Sequence, residues 1–252
     1  MIFTLSQIPK QNAFSFLRLC CCGIVICMHI FTCSGVYSEY AKFFDGHSCV
    51  CVFFILSGFW ITRSYLSTDL KSYFIKRAKR ILPLYYLFVG GVLVFAFASE
   101  LSFKEFFLNM ETWKYLFWNS IFLNFMHPSL PGCFANNLVA VNGALWTIKI
   151  EITFYVLLPF LMKLLKKLKS LFQVNMTLLV LYILSVFYAF VFQKYHNTWH
   201  LPKQLANQFP AFVSCFVSGM FLVFNWEWIL KKIEFINYSK CFDFYTSLCY
   251  KN

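Results

Sequence analysis

Four ionisable side chains fall inside long apolar stretches of this sequence: Arg18, His29, Lys149 and Glu151. A charge at bilayer depth is costly, so each is a candidate functional group. Arg18 and His29 are eleven residues apart, which on a helix is about 20° past three full turns and roughly 16 Å of axial rise. They therefore share a face, with Arg18 near one end and His29 deeper. Glu151 enters about two turns into its own stretch, an expected depth similar to that of His29. The set offers a base or nucleophile, a carboxylate able to orient an imidazole, and a fixed cation. Taken singly, each has a plainer reading. Arg18 can snorkel to the interface, and His29 can be a hydrogen-bonded core histidine. Glu151 can pair with Lys149 at the outer edge, although a spacing of two does not share a helix face.

A second set is the run Lys76-Arg77-Ala78-Lys79-Arg80-Ile81-Leu82-Pro83. Guanidinium forks match phosphate oxygens, and Arg77 and Arg80 share a face if the run is helical. Such a run is equally a positive-inside signal flanking a span. No Walker-type or glycine-rich phosphate loop is present, so the sequence offers no support for ATP chemistry.

The elements that hold these residues follow from composition. Of 252 residues, 60% are hydrophobic and 13% charged, with 34 Phe, 14 Tyr and 7 Trp and a mean hydropathy of +0.64. A water-soluble domain is about 25% charged and lacks the polar surface to cover such an aromatic load. Disordered, collagen-like and ordinary soluble classes are excluded, leaving a polytopic membrane protein. The fold class is all-α, since helices satisfy their own backbone groups in lipid and the runs do not alternate as barrel strands do. Six spans are predicted, at 14–35, 48–66, 81–98, 144–162, 173–192 and 209–226. The apolar stretch 115–126 is too short to cross and reads as interfacial or re-entrant. No small-residue cleavage site follows the first span, so it is not read as a removed signal peptide.

An N-in, C-in arrangement puts fifteen lysines and arginines inside and five outside. Lys10, the blocks 63–80 and 163–169, and Lys231, Lys232, Lys240 and Lys251 form the inner set. The net charge of +12 is thus a topology signal and not one for nucleic acid. The 11 cysteines lie mostly in or beside apolar runs and read as free thiols; no CxxC pair suggests structural zinc, and no metal site is expected. With no repeat or linker, residues 1–252 read as a single membrane domain.

Arg18 and His29 in the first span, FFILSGFWI at 53–61, KRAKRILPLYY at 76–86 and LWTIKIEITFYVLLP at 145–159 together resemble the acyltransferase-3 family of integral-membrane O-acyltransferases. Many of its members acetylate bacterial surface polysaccharides. The four motifs stand in the family's order over residues 14–160, and LPGCFANNLVAVNGALWT at 130–147 resembles the outer loop of the polysaccharide and O-antigen acetylase branch.

The resemblance implies an acyl-CoA donor, acetyl-CoA above all, arriving from the cytoplasm, with no permanently bound cofactor. It implies a glycan or lipid-linked sugar acceptor and a multi-pass place in the inner (plasma) membrane. His29 matches the family's essential histidine and Arg18 its paired arginine. Arg77 and Arg80, with Lys76 beside them, match the basic motif, and Glu151 matches the acid of W-x-x-x-x-E. Ser57 and Gly58 match a small-residue step, read here as close helix packing. A sugar hydroxyl needs a base to become a nucleophile, so His29 is expected as general base, kept neutral by burial, with Glu151 orienting or stabilising it. A His-acyl intermediate stays open.

Family members run on past this length with further spans, so the chain is expected to be short at its C-terminus, where NYSKCFDFYTSLCYKN ends it. An inactive truncated homologue is one alternative. Another is a proton-relaying transporter, although no inverted repeat supports it.

Overall fold

The computed structural model describes residues 12–34, 38–133, 141, 143–195 and 207–233. Most of the expected outer loop at 134–142, Lys10, Lys203, Lys240, Lys251 and the C-terminal run 237–252 lie outside the described residues. The described chain is helical: α1 (Asn12–Ser34), α2 (Gly46–Ser67), α3 (Leu70–Gly90), α4 (Val92–Phe97), α5 (Phe103–Leu108), α6 (Met110–Ser120), α7 (Trp146–Leu165), α8 (Leu171–Tyr195) and α9 (Phe209–Phe224). A short helix α10 (Trp226–Ile233) follows α9 at a bend of 73°. No strand occurs among the described residues, as the all-α reading requires.

Among the described residues four helices are long and apolar enough to cross a membrane, Ala13–Thr32, Gly46–Ser67, Leu70–Phe97 and Leu171–Tyr195, and the bent α9–α10 pair makes up to a fifth. Five expected spans fall on these. The remaining one is a 20-residue helix, α7, that carries Lys149, Glu151 and Lys163. The stretch expected to be too short to cross forms α6, of 11 residues, and a 3-10 turn at Asn124–Met126.

The chain divides into two units, residues 1–67 with 161–252, and residues 68–160. In the first, α2 and α9 meet backbone to backbone at Gly58 and Gly219. Beside them, the Ser185 hydroxyl of α8 accepts the Ser214 N–H at 2.8 Å and donates to the Pro210 carbonyl at 2.7 Å. A regular helix would join those two groups directly, so α8 is stitched into the ladder of α9. The amides of Asn175 and Asn225 exchange two 3.0 Å hydrogen bonds at the opposite end of the α8–α9 pair. Phe14 of α1 packs on Phe59 and Trp60, with ring centroids 5.3 and 5.6 Å away.

In the second unit, residues 92–133 form a small core of Val92, Ala96, Phe106, Tyr115, Leu130 and Cys133. Gly132, at φ 66, closes this fold, since a Cβ there would meet the Ser99 hydroxyl and Leu101. The hydroxyls of Tyr85 and Tyr86 donate to the Asn119 and Ser120 carbonyls at 2.7 and 3.0 Å. These bonds tie α3 to the end of α6. The eight described cysteines recorded as free carry no disulfide: Cys20, Cys21, Cys22, Cys27, Cys49, Cys51, Cys133 and Cys215.

Candidate active site

The basic run predicted to flank a span is itself helical. Helix α3 starts eleven residues earlier than the expected span, because Asp69 caps it: its carboxylate accepts the Ser72 N–H at 3.0 Å. The Ser72 hydroxyl and amide hold the Asp69 carboxyl below its ordinary value. Residues 73, 77, 80, 81 and 84 then share a stripe, by the spacing of three and four that aligns side chains on a helix. Pro83 lies within this helix without ending it.

Helix α7 answers with its own stripe. Arg80 Nη2 stands 4.0 Å from Glu151 Oε1. The Tyr155 hydroxyl donates to that same oxygen at 2.5 Å. The Arg77 guanidinium lies over the Tyr155 ring, 5.7 Å from its centroid. The Tyr73 hydroxyl donates to the Tyr155 backbone carbonyl at 3.0 Å. Three turns of α3 are thereby keyed to two turns of α7, and two cations, one carboxylate and two phenols converge on a single strip.

Next to this strip is a cavity of about 420 Å³ lined by Arg80, Ile81, Leu84, Tyr85, Phe88, Leu145, Ile148 and Glu151. Its polar end is Arg80 with Glu151, and the other lining is apolar or aromatic. A slender, partly apolar chain ending in an anion is the ligand class that such a lining suits.

The expected residues separate as follows. Arg77, Arg80 and Glu151 come together in the second unit. Lys76 is exposed, and among the described residues it makes no contact with Glu151 or Tyr155. Lys149 turns away from Glu151, as its two-residue offset requires, and sits 4.1 Å from the Phe125 ring centroid. Arg18 and His29 are on α1 in the first unit. Arg18 is half-buried; His29 is exposed, with no hydrogen-bond or ion-pair partner among the described residues. Among the described residues no side chain supplies the enclosure expected around His29, because α1 leaves most of its surface uncovered and packs on α2 and the turn at Ser38–Phe43. Tyr155 and Tyr73 are functional candidates that the sequence reading passed over. The available signal was their offset of four from Glu151 and from Arg77, one helical turn in each case. Among the described residues no group of three or more His, Cys, Asp or Glu is placed to hold a metal.

A family model described as an acyltransferase domain matches residues 11–242. The chain belongs to the acyltransferase-3 family. This acyltransferase-family chain is similar to nodulation protein 10 of Rhizobium leguminosarum bv. viciae, with 28% identity over 131 residues, 48% of this chain and 34% of that protein. It is similar as well to the O-acetyl transferase of Shigella phage Sf6, with 29% identity over 160 residues, 59% of this chain and 45% of that protein. The matched stretches thus span less than half the length of either relative. No solved structure matches the chain.

Proposed function

We propose that this chain is a membrane-embedded O-acyltransferase of the inner (plasma) membrane. It moves an acyl group, acetyl in the simplest case, from acyl-CoA to a hydroxyl of a cell-surface or lipid-linked glycan. Membership of the family and the O-acetyl transferase relative support acyl transfer to a hydroxyl. The observation that carries the donor half is the α3 stripe, where Arg80 stands at the polar end of a largely apolar cavity and Arg77 lies over the neighbouring Tyr155 ring. CoA is a polyanion on a slender arm, and forked guanidinium groups fit its phosphates.

The chemistry is a proton-coupled acyl transfer. The neutral imidazole of His29 takes the proton of the acceptor hydroxyl as its oxygen attacks the thioester carbonyl. Collapse of the tetrahedral adduct breaks the carbon–sulfur bond, and the departing CoA sulfur takes the proton back from the imidazolium. Arg18, on the same helix, is the fixed cation for the charge that develops on the carbonyl oxygen. The described contacts of Glu151 include Arg80 and Tyr155, which supports a part at the anion-binding end.

The test is acetate released by mild base from surface polysaccharide of cells expressing the chain, beside His29→Ala. Release from the wild type and its loss in the variant are expected. Equal release from both removes His29 from the reaction, and no release from the wild type overturns the transfer itself.

A further inference from the structure

Glu151 Oε1 faces two donors at unequal distances. The Tyr155 hydroxyl is at 2.5 Å, a short charge-assisted hydrogen bond. Arg80 Nη2 is at 4.0 Å, within ion-pair range but well beyond the roughly 3 Å of a hydrogen bond. A carboxylate and a guanidinium left to themselves close into a bidentate fork. Here they have not.

Tyr155 is fixed in place on three sides. The residue is 4% exposed, its ring lies under Arg77, and its carbonyl is held by the Tyr73 hydroxyl. Its phenol therefore cannot follow a moving carboxylate. Arg80, in contrast, has a side chain 42% exposed and lines the cavity. Among the described residues it makes no hydrogen bond.

We infer that Tyr155 is a positioning residue for anion binding: its hydroxyl holds the Glu151 carboxylate back from Arg80, so that the Arg80 fork stays open to a phosphate in the cavity. This rests on the acyl-CoA reading above and adds to it a residue and a mechanism. The competing pair for Arg80 is internal, Glu151 against ligand phosphate, and Tyr155 sets the balance. Removing the hydroxyl frees the carboxylate to close on Arg80, and the ligand must then break that pair.

The experiment is equilibrium binding of CoA to the full chain in detergent, for wild type, Tyr155→Phe, Glu151→Gln and the double variant. Tyr155→Phe is expected to weaken CoA binding about tenfold, the worth of about 1.4 kcal/mol. Adding Glu151→Gln to Tyr155→Phe is expected to restore affinity to within about twofold of wild type, because a neutral amide no longer competes for Arg80. A purely structural role for Tyr155 predicts no rescue, and absence of rescue overturns the inference. Unchanged binding in Tyr155→Phe overturns it too, while leaving the acyl-CoA reading in place. A wild-type chain that binds no CoA removes that reading and the inference with it.

Discussion

Gly58 of α2 and Gly219 of α9 sit where two helix backbones touch. A Cβ on Gly58 would overlap the Phe216 carbonyl, and one on Gly219 would overlap the Ile55 carbonyl and the Phe59 amide. Between apolar helices in lipid there is no hydrophobic drive to associate, so close van der Waals contact must do the joining. The step around Ser57 and Gly58 is thus a packing device. It brings together the two helices on which the first unit is built, and α8 is then sewn to α9 by hydroxyl and amide.

Substituting either glycine by alanine is expected to force α2 and α9 apart, at a cost of about 1–3 kcal/mol. Gly23→Ala on α1 is the matched control, since nothing lies within 4 Å of its would-be Cβ. There the loss of glycine's backbone freedom should stabilise by about 0.5–1 kcal/mol. Thermal melting in detergent separates these outcomes, and three indistinguishable melting curves would sink the contact.

The α8–α9 stitches should prove modest singly. Ser185→Ala is expected to cost about 1 kcal/mol. Asn175→Ala and Asn225→Ala should be non-additive, with a coupling energy of about 1 kcal/mol in a double-mutant cycle. Strict additivity would mean that the two amides do not act as a pair.

Much of the first unit was legible in the residues because its helices are uniformly apolar, and hydropathy alone delimits α1, α2, α8 and α9. The start of α3 was not. Lys76 to Arg80 reads by composition as a positive-inside run flanking a span, and only the Asp69 cap and the tyrosines at 73 and 85 show that the helix runs through it. Arg77, Arg80 and Glu151 could be named in advance from their charge, whereas Tyr155 offered only its one-turn offset from Glu151. A tyrosine in an apolar run looks like packing until the register of α3 against α7 is known. That register depends on contacts between helices far apart in sequence, which periodicity along one helix does not carry.

Acid should loosen the start of α3. Hydrogen bonds from Ser72 keep the Asp69 carboxyl below its ordinary value of 3.8. A depressed folded-state value means the contribution is full above the unfolded value and is lost as pH falls through the folded one. Amide exchange of residues 70–73 should therefore accelerate relative to the rest of α3 as pH drops below about 4. Asp69→Asn, which keeps a capping side chain but no titration, should remove that pH dependence. A variant with the wild-type profile would show that the cap is not the titrating group.

The last expectation separates the members of the basic run. If the run acts only as a sheet of positive charge, Lys76→Ala, Arg77→Ala and Arg80→Ala should weaken CoA binding alike, and salt should erase the differences. The geometry says otherwise. Arg80 lines the cavity, Arg77 is braced over Tyr155, and Lys76 is exposed away from both. Arg80→Ala is therefore expected to cost at least about tenfold in CoA affinity, and Lys76→Ala less than about twofold. Arg80→Lys should recover little of the loss, because an ammonium is a point charge and cannot present two parallel donors to a phosphate. Arg77→Ala should lower the melting temperature as well as affinity, since it removes the cation over the buried Tyr155 ring. CoA titrations of the four variants at fixed ionic strength decide the matter, and equal losses in Lys76→Ala and Arg80→Ala would reduce the run to a topology signal.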